Sequence, residues 1–152
     1  MPAMKPVIVY GASGFSGRLV AEYLREYNVP FIAAGRNRAR IEEVMKRVPG
    51  IETADYEVAE VGSSVDELAK LFSGAKVVCN TVGPFIYSGP RVIEACLKSG
   101  CHYLDIKGTY EGCCSQLRSP RTRNYMLGMA LWAGARLGVE PVGWLIDQVN
   151  IF

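Results

Sequence analysis

Glycines 11, 14 and 17 stand directly between an apolar run, Pro6 to Tyr10, and a segment with helical periodicity. This placement constrains the chain more than any other feature, because a glycine pattern becomes informative where a strand hands over to a helix. Gly11 suits a tight turn, and Gly14 lets the main chain approach a bound group with no Cβ in the way. Gly17 lets the helix pack closely on the strand. Unpaired amides and the dipole at the start of such a helix attract negative charge. Ser13 and Ser16, on either side of Gly14 and Phe15, add hydroxyl donors. Further along, Leu19, Val20, Tyr23, Leu24 and Tyr27 are expected to share one face of the helix.

Downstream, short apolar runs alternate with longer amphipathic ones, the signature of βαβ units around a parallel sheet. Asn28-Val29-Pro30 stops the first helix, and the second strand, Phe31 to Ala34, is apolar on both faces, as a strand covered by helices on both sides must be. A helix from about Arg38 to Arg47 follows, capped by Asn37 and stopped by Pro49-Gly50, then a third strand within Thr53 to Val58. Ser63 or Ser64 caps a helix through Leu68, Leu71 and Phe72. The fourth strand, Lys76 to Asn80, runs into Thr81-Val82-Gly83-Pro84. Ser88-Gly89-Pro90 then opens a helix that buries Val92, Ile93, Cys96 and Leu97, and the fifth strand is His102 to Ile106. Right-handed crossovers turn this order into an α/β fold with a doubly wound parallel sheet, Rossmann-type, of order 3-2-1-4-5. After Gly112 the rhythm fails. The expected division is a nucleotide-binding domain over 1–112 and an irregular, partly helical tail over 113–152, too short for a second full-sized domain.

Cofactor choice turns on the end of the second strand, where an NAD site places an acid against the adenosine ribose. Here Gly35-Arg36-Asn37-Arg38 takes that place, and a guanidinium fork suits a 2′-phosphate. Solvated surface charge is the alternative reading of Arg36 and Arg38. The loop Thr81 to Gly83 follows strand four at the point where strand order reverses and ligands collect. The expected cofactor set is therefore Gly11, Ser13, Gly14, Phe15, Ser16, Gly17, Arg36, Asn37, Thr81, Val82 and Gly83, with NADP as the ligand.

Other constellations fail on geometry or charge. Tyr103 and Lys107 have the spacing of a catalytic Tyr-Lys pair, but that pair works from adjacent helical turns, and on a strand they stand about 13 Å apart. Asp105 reads as a fold-supporting polar group, and His102, the single histidine, cannot build a metal cluster. Cys79, Cys96 and Cys101 read as buried apolar fillers, whereas Cys113-Cys114 reads as exposed and oxidisable. Glu42-Glu43 and Asp66-Glu67 point in different directions on their helices. A formal charge of +2 does not suit a nucleic-acid binder. The odd number of cysteines and the missing export signal point to a reducing compartment, the cytoplasm, and no stretch matches a membrane-spanning helix.

Four blocks occur together in order: Tyr10-Gly-Ala-Ser-Gly-Phe-Ser-Gly-Arg-Leu-Val, Ala34-Gly-Arg-Asn, Asn80-Thr-Val-Gly-Pro-Phe and Gly100-Cys-His-Tyr-Leu-Asp-Ile-Lys-Gly. Over about residues 5 to 112 the chain resembles the NADP-binding domain of the saccharopine dehydrogenase-like oxidoreductases. That resemblance implies NADP held by Gly11, Gly14, Gly17, Arg36 and the Thr81 to Gly83 loop, and hydride exchange with a small-molecule substrate it does not name. Members of the family continue into a substrate-binding and dimerising domain, with which residues 113–152 do not align. Two alternatives stay open: a binding module without catalysis, acting as a redox sensor or partner subunit, and a shortened, inactive chain. Self-association through an uncovered sheet end is also expected.

Overall fold

In the computed structural model the described residues are 5–106, all within one unit of the chain, Met1–Cys113. The apolar runs form five short strands: β1 (Val7–Tyr10), β2 (Phe31–Gly35), β3 (Tyr56–Glu60), β4 (Val77–Asn80) and β5 (His102–Asp105). Between them lie α1 (Phe15–Glu26), α2 (Arg38–Met45), α3 (Val65–Phe72) and α4 (Phe85–Ser99). All pairings are parallel and the order is β3-β2-β1-β4-β5, the doubly wound Rossmann-type sheet. Register sets Tyr10 beside Ala34 and Asn80, and Asn80 beside Asp105, so the carboxyl ends of the central strands finish level.

Strand alternation sorts the core into two layers. On one side Val9, Phe31 and Ala33 pack with Ala21, Ile41 and Met45 of α1 and α2. On the other, α3 packs on α4, and the Phe72 ring meets Tyr10 edge-on at 6.4 Å between centroids. Phe31 and Phe72 are fully buried, each worth about 1.5–3 kcal/mol in apolar burial.

Several boundaries and faces differ from the sequence expectation. In α1 the closely packed residues are Gly17 and Ala21, whereas Leu19, Tyr23 and Tyr27 stand exposed. The small residues let the helix axis approach the sheet, which turns the i, i+4 stripe Phe15, Leu19, Tyr23, Tyr27 outward. Residues Ile51–Thr53 form a 3-10 turn, so β3 starts at Tyr56 instead of near Thr53. The helix α4 begins at Phe85, with Pro84 as N-cap and Pro90 inside the helix, not at Ser88. Its buried arc takes in Val92, Ile93, Ala95 and Cys96, leaving Leu97 exposed, because at 100° per residue Leu97 falls about 40° outside that arc, beyond Ile93. The expectations for Lys107, Cys113, Cys114 and the 113–152 tail lie outside the described residues.

Candidate cofactor-binding site

The turn after β1 is tied down by its own backbone. Gly11 and Ala12 N–H groups both donate to Ala34 C=O, at 2.8 and 3.2 Å, and Gly14 N–H donates to Gly11 C=O at 2.9 Å. Gly11 has φ +94, and an added Cβ would lie 2.7 Å from Thr81 Oγ1 and 2.8 Å from Val82 Cγ2. Gly11 is thus required twice, by conformation and by the loop seated on it. Gly17 is required by packing alone, since its Cβ would fall 2.4 Å from Gly11 O and 2.7 Å from Ala12 Cα.

Gly14 differs from both. Its backbone is extended, it is exposed, and an added Cβ would meet only Gly11 O, at 3.3 Å. That contact is tight but needs the Gly11 carbonyl to give by only a few tenths of an ångström, so the fold requires a glycine here less than at positions 11 and 17. Gly14 is also the N-cap of α1, and no side chain caps that helix. The first intrahelical bond is Arg18 N–H to Gly14 C=O at 3.0 Å, so the amides of Phe15, Ser16 and Gly17 precede the helical ladder. No acidic residue occupies the first turn. Ser13 and Ser16 are half-buried at this rim, and Arg18 lies 5.8 Å from the centroid of the exposed Phe15 ring, adding positive charge. The donor set fits a pyrophosphate: open amides, hydroxyls, a cation and no competing carboxylate.

At the end of β2, Arg36 is exposed and, among the described residues, forms no salt bridge. Arg38 is engaged within α2, its Nε donating to Glu42 Oε1 at 2.9 Å. Asn37, expected at the cofactor, uses its side-chain oxygen to cap α2, accepting Arg40 N–H at 2.9 Å. The Glu60 carboxylate accepts Arg38 N–H at 2.9 Å, so this helix start is already occupied by protein acceptors. Of the two arginines weighed from the sequence, Arg36 is the one whose guanidinium is not engaged by a neighbouring acid. Burial raises the pKa of the Tyr10 phenol, while the positive charges of Arg36 and Arg91 oppose that rise. Two cations therefore act at the carboxyl end of β1, and Arg91, on α4, carries no motif that marks it in the sequence.

The loop after β4 closes the crevice from the other side. Thr81 donates both its N–H and its Oγ1 hydroxyl to Tyr10 C=O, at 2.8 and 2.9 Å, sealing β4 to β1. Val82 N–H donates to Asn80 Oδ1 at 3.1 Å, and Ser88 Oγ donates to Val82 C=O. Asn80 is wholly buried; its Nδ2 donates to Tyr103 Oη at 3.1 Å, and that hydroxyl donates to Asp105 Oδ2 at 2.7 Å. Tyr103 thus sits on β5, hydrogen-bonded between Asn80 and Asp105. Gly83 is exposed, and a Cβ there would meet nothing within 4 Å. The structure brings Gly11 together with Thr81 and Val82 in one crevice, with Arg36 at the neighbouring strand end. Sequence reasoning missed Asn80 and Ser88; a lone asparagine ending an apolar strand was the available signal.

The family model for the saccharopine dehydrogenase NADP binding domain matches residues 7–137. This chain belongs to that family. The match runs past Gly112, the expected end of the nucleotide-binding domain, and NADP is the cofactor of the domain. The human saccharopine dehydrogenase-like oxidoreductase is 34% identical over 119 residues, covering 67% of this chain and 27% of the relative. A Caenorhabditis elegans lipid droplet localized protein is 36% identical over 110 residues, covering 67% and 26%. A trans-acting enoyl reductase from Mycobacterium leprae is 33% identical over 110 residues, covering 70% and 26%. The chain spans about a quarter of the length of these curated relatives. Among solved structures, alfalfa vestitone reductase aligns with TM-score 0.52 at 20% identity over 65% of this chain and 34% of that one. Yeast methylglyoxal/isovaleraldehyde reductase, complexed with NADPH, aligns with TM-score 0.53 at 18% identity over 65% and 36%. These two share the fold. Among the described residues no helix is long and apolar enough to cross a membrane, and no group of three or more His, Cys, Asp or Glu is placed to hold a metal.

Proposed function

We propose that this chain is the cofactor-holding part of an NADP(H)-dependent oxidoreductase, with the dinucleotide lying across the carboxyl ends of β2, β1 and β4. The observation that carries the reading is the uncapped, acid-free start of α1 beside Arg36, a cation with no acid in the place where an NAD site keeps one. In this reading the amides of Phe15 and Ser16, with the Ser13 and Ser16 hydroxyls, hold the pyrophosphate. Gly14 and Gly83 give the ligand room, and Arg36 takes the 2′-phosphate. Asn37 acts indirectly, fixing the start of α2 beside Arg36. Thr81 and Val82 form the wall toward the nicotinamide ribose. The bound nucleotide supplies hydride chemistry, and the protein supplies orientation. Free Cys79, Cys96 and Cys101 suit a reducing compartment such as the cytoplasm.

Replacing Arg36 tests the assignment. Arg36→Ala should cost NADPH about 1.5–3 kcal/mol, roughly a 10- to 150-fold rise in Kd, while leaving NADH nearly unchanged. Calorimetric titration of both nucleotides into both proteins reads this directly, and equal losses for the two would defeat it. The alternative left open by the sequence is a binding module without turnover. It predicts tight NADPH binding with a change in association state and no nucleotide oxidation with carbonyl, imine or enoyl substrates.

A further inference from the structure

Away from the crevice, at the amino end of the edge strand β5, the end of α4 sets two cysteines together. The helix stops at Ser99, Gly100 takes φ +74, and Cys101 N–H returns to Cys96 C=O at 3.1 Å. This is the six-residue closure of a left-handed helix end, in which the residue after the glycine lies against the residue five before itself. An apolar pair commonly fills those two positions; here both are cysteine, with 2% and 9% exposure for Cys96 and Cys101. Ser99 Oγ donates to Cys96 C=O at 3.2 Å and lies 3.1 Å from Cys101 Sγ, so it bridges the two residues. The two thiols are free and act directly on each other.

We propose that Cys96 and Cys101 are a dithiol site that a peroxide converts to a disulfide. Cys101 is the attacking thiol, because it is the more exposed and the more acidic of the two. Its pKa is lowered to about 7, first by the hydrogen bond with Cys96, against the opposing effect of burial, and further by Ser99. The Cys96 thiol is pushed up by the same contact and by burial. Cys79, by contrast, is pushed up to about 11 by burial and by the Asp105 charge, which keeps it an inert thiol. In the first step the Cys101 thiolate attacks one peroxide oxygen. The O–O bond breaks, hydroxide leaves and is protonated to water, and Cys101 becomes a sulfenic acid. In the second, the Cys96 sulfur attacks the Cys101 sulfur. An S–S bond forms, the S–O bond breaks, and the hydroxide leaves with the Cys96 proton as a second water. The two thiols together lose two electrons and two protons, and the peroxide gains them.

The 152-residue chain offers a clean readout, because trypsin cuts after Arg91, Lys98 and Lys107 and so separates the two cysteines. After a stoichiometric dose of hydrogen peroxide, alkylation and non-reducing digestion, peptides 92–98 and 99–107 should travel as one species. That species should be lighter than their sum by two hydrogens and fall apart on reduction. The rate should climb with pH through about 7 and then level off, while the peptide carrying Cys79 stays fully alkylatable throughout. In Cys96→Ala, Cys101 should stop at a sulfenic acid that dimedone captures. Recovery of both peptides separately alkylated from oxidised wild-type protein would overturn the proposal. So would linkage of Cys101 to Cys113 or Cys114, or conversion of Cys101 to a sulfinic acid while Cys96 stays reduced.

Discussion

Two helices of this sheet begin in opposite ways. At α3 the Ser64 side chain accepts Glu67 N–H, the Glu67 carboxylate accepts Ser64 N–H, and Asp66 and Glu67 lie in the first turn. The helix start is closed by the chain's own acceptors and its dipole is offset by two acids. At α1 there is no side-chain cap and no acid, although both helices have the same orphan amides and the same polarity. Closing α1 would take a single capping side chain at Gly14 and would add roughly a few tenths of a kcal/mol of stability, since glycine is itself a tolerated N-cap. The fold performs this closure at α3, and at α2 with Asn37 and Glu60, yet leaves α1 and α4, which follow the neighbouring strands β1 and β4, with neither a side-chain cap nor an acid in the first turn.

The comparison can be broken most forcefully at the glycines. Gly17→Ala drives a methyl against Gly11 O and should cost about 1–3 kcal/mol of stability, read from urea midpoints, with binding lost in proportion to folding. Gly14→Ala should move the midpoint less, because its methyl lies 3.3 Å from Gly11 O where that of Gly17→Ala lies 2.4 Å away, and should still weaken NADPH binding if the dinucleotide approaches the backbone at Gly14 as proposed. Equal losses of stability in the two variants would remove the distinction. A smaller effect belongs to the closed helix: Ser64→Ala should cost about 1 kcal/mol and leave the NADPH dissociation constant where it was. The smallest shift in stability tests the open one. Ser16→Glu should raise stability by about 0.3–1 kcal/mol, as an acid beside a helix start does, and should lower NADPH affinity by occupying the same amides. Calorimetry on one protein preparation reads both quantities, and a variant that gained in both would contradict the anion role of α1.

Features that depend on neighbouring residues in the chain were readable from the sequence. The caps at Asn37 and Ser64, the strand order and the Gly11 to Gly17 turn all follow from contacts a few residues apart or from handedness. What escaped depends on which distant element arrives where. In α1 the aromatic stripe reads as the buried face until Gly17 and Ala21 are seen to let the helix settle closer on their side. In α4, Ser88-Gly89-Pro90 imitates a helix start, but the Ser88 hydroxyl is turned to Val82 C=O and the helix has already begun at Phe85. The use of Asn80 was hidden in part: its bond from Val82 N–H is local, but Tyr103 Oη meets its Nδ2 only once β4 and β5 pair.

The peptide unit of Val82 is gripped at both ends, by Asn80 through its N–H and by Ser88 through its C=O. A loop held in this way has already surrendered its conformational freedom when the chain folds, so a dinucleotide bound against it as proposed would not have to immobilise it. Association at this face should then be governed by diffusion and by the attraction of the arginines, without a slow closing motion of residues 81–83.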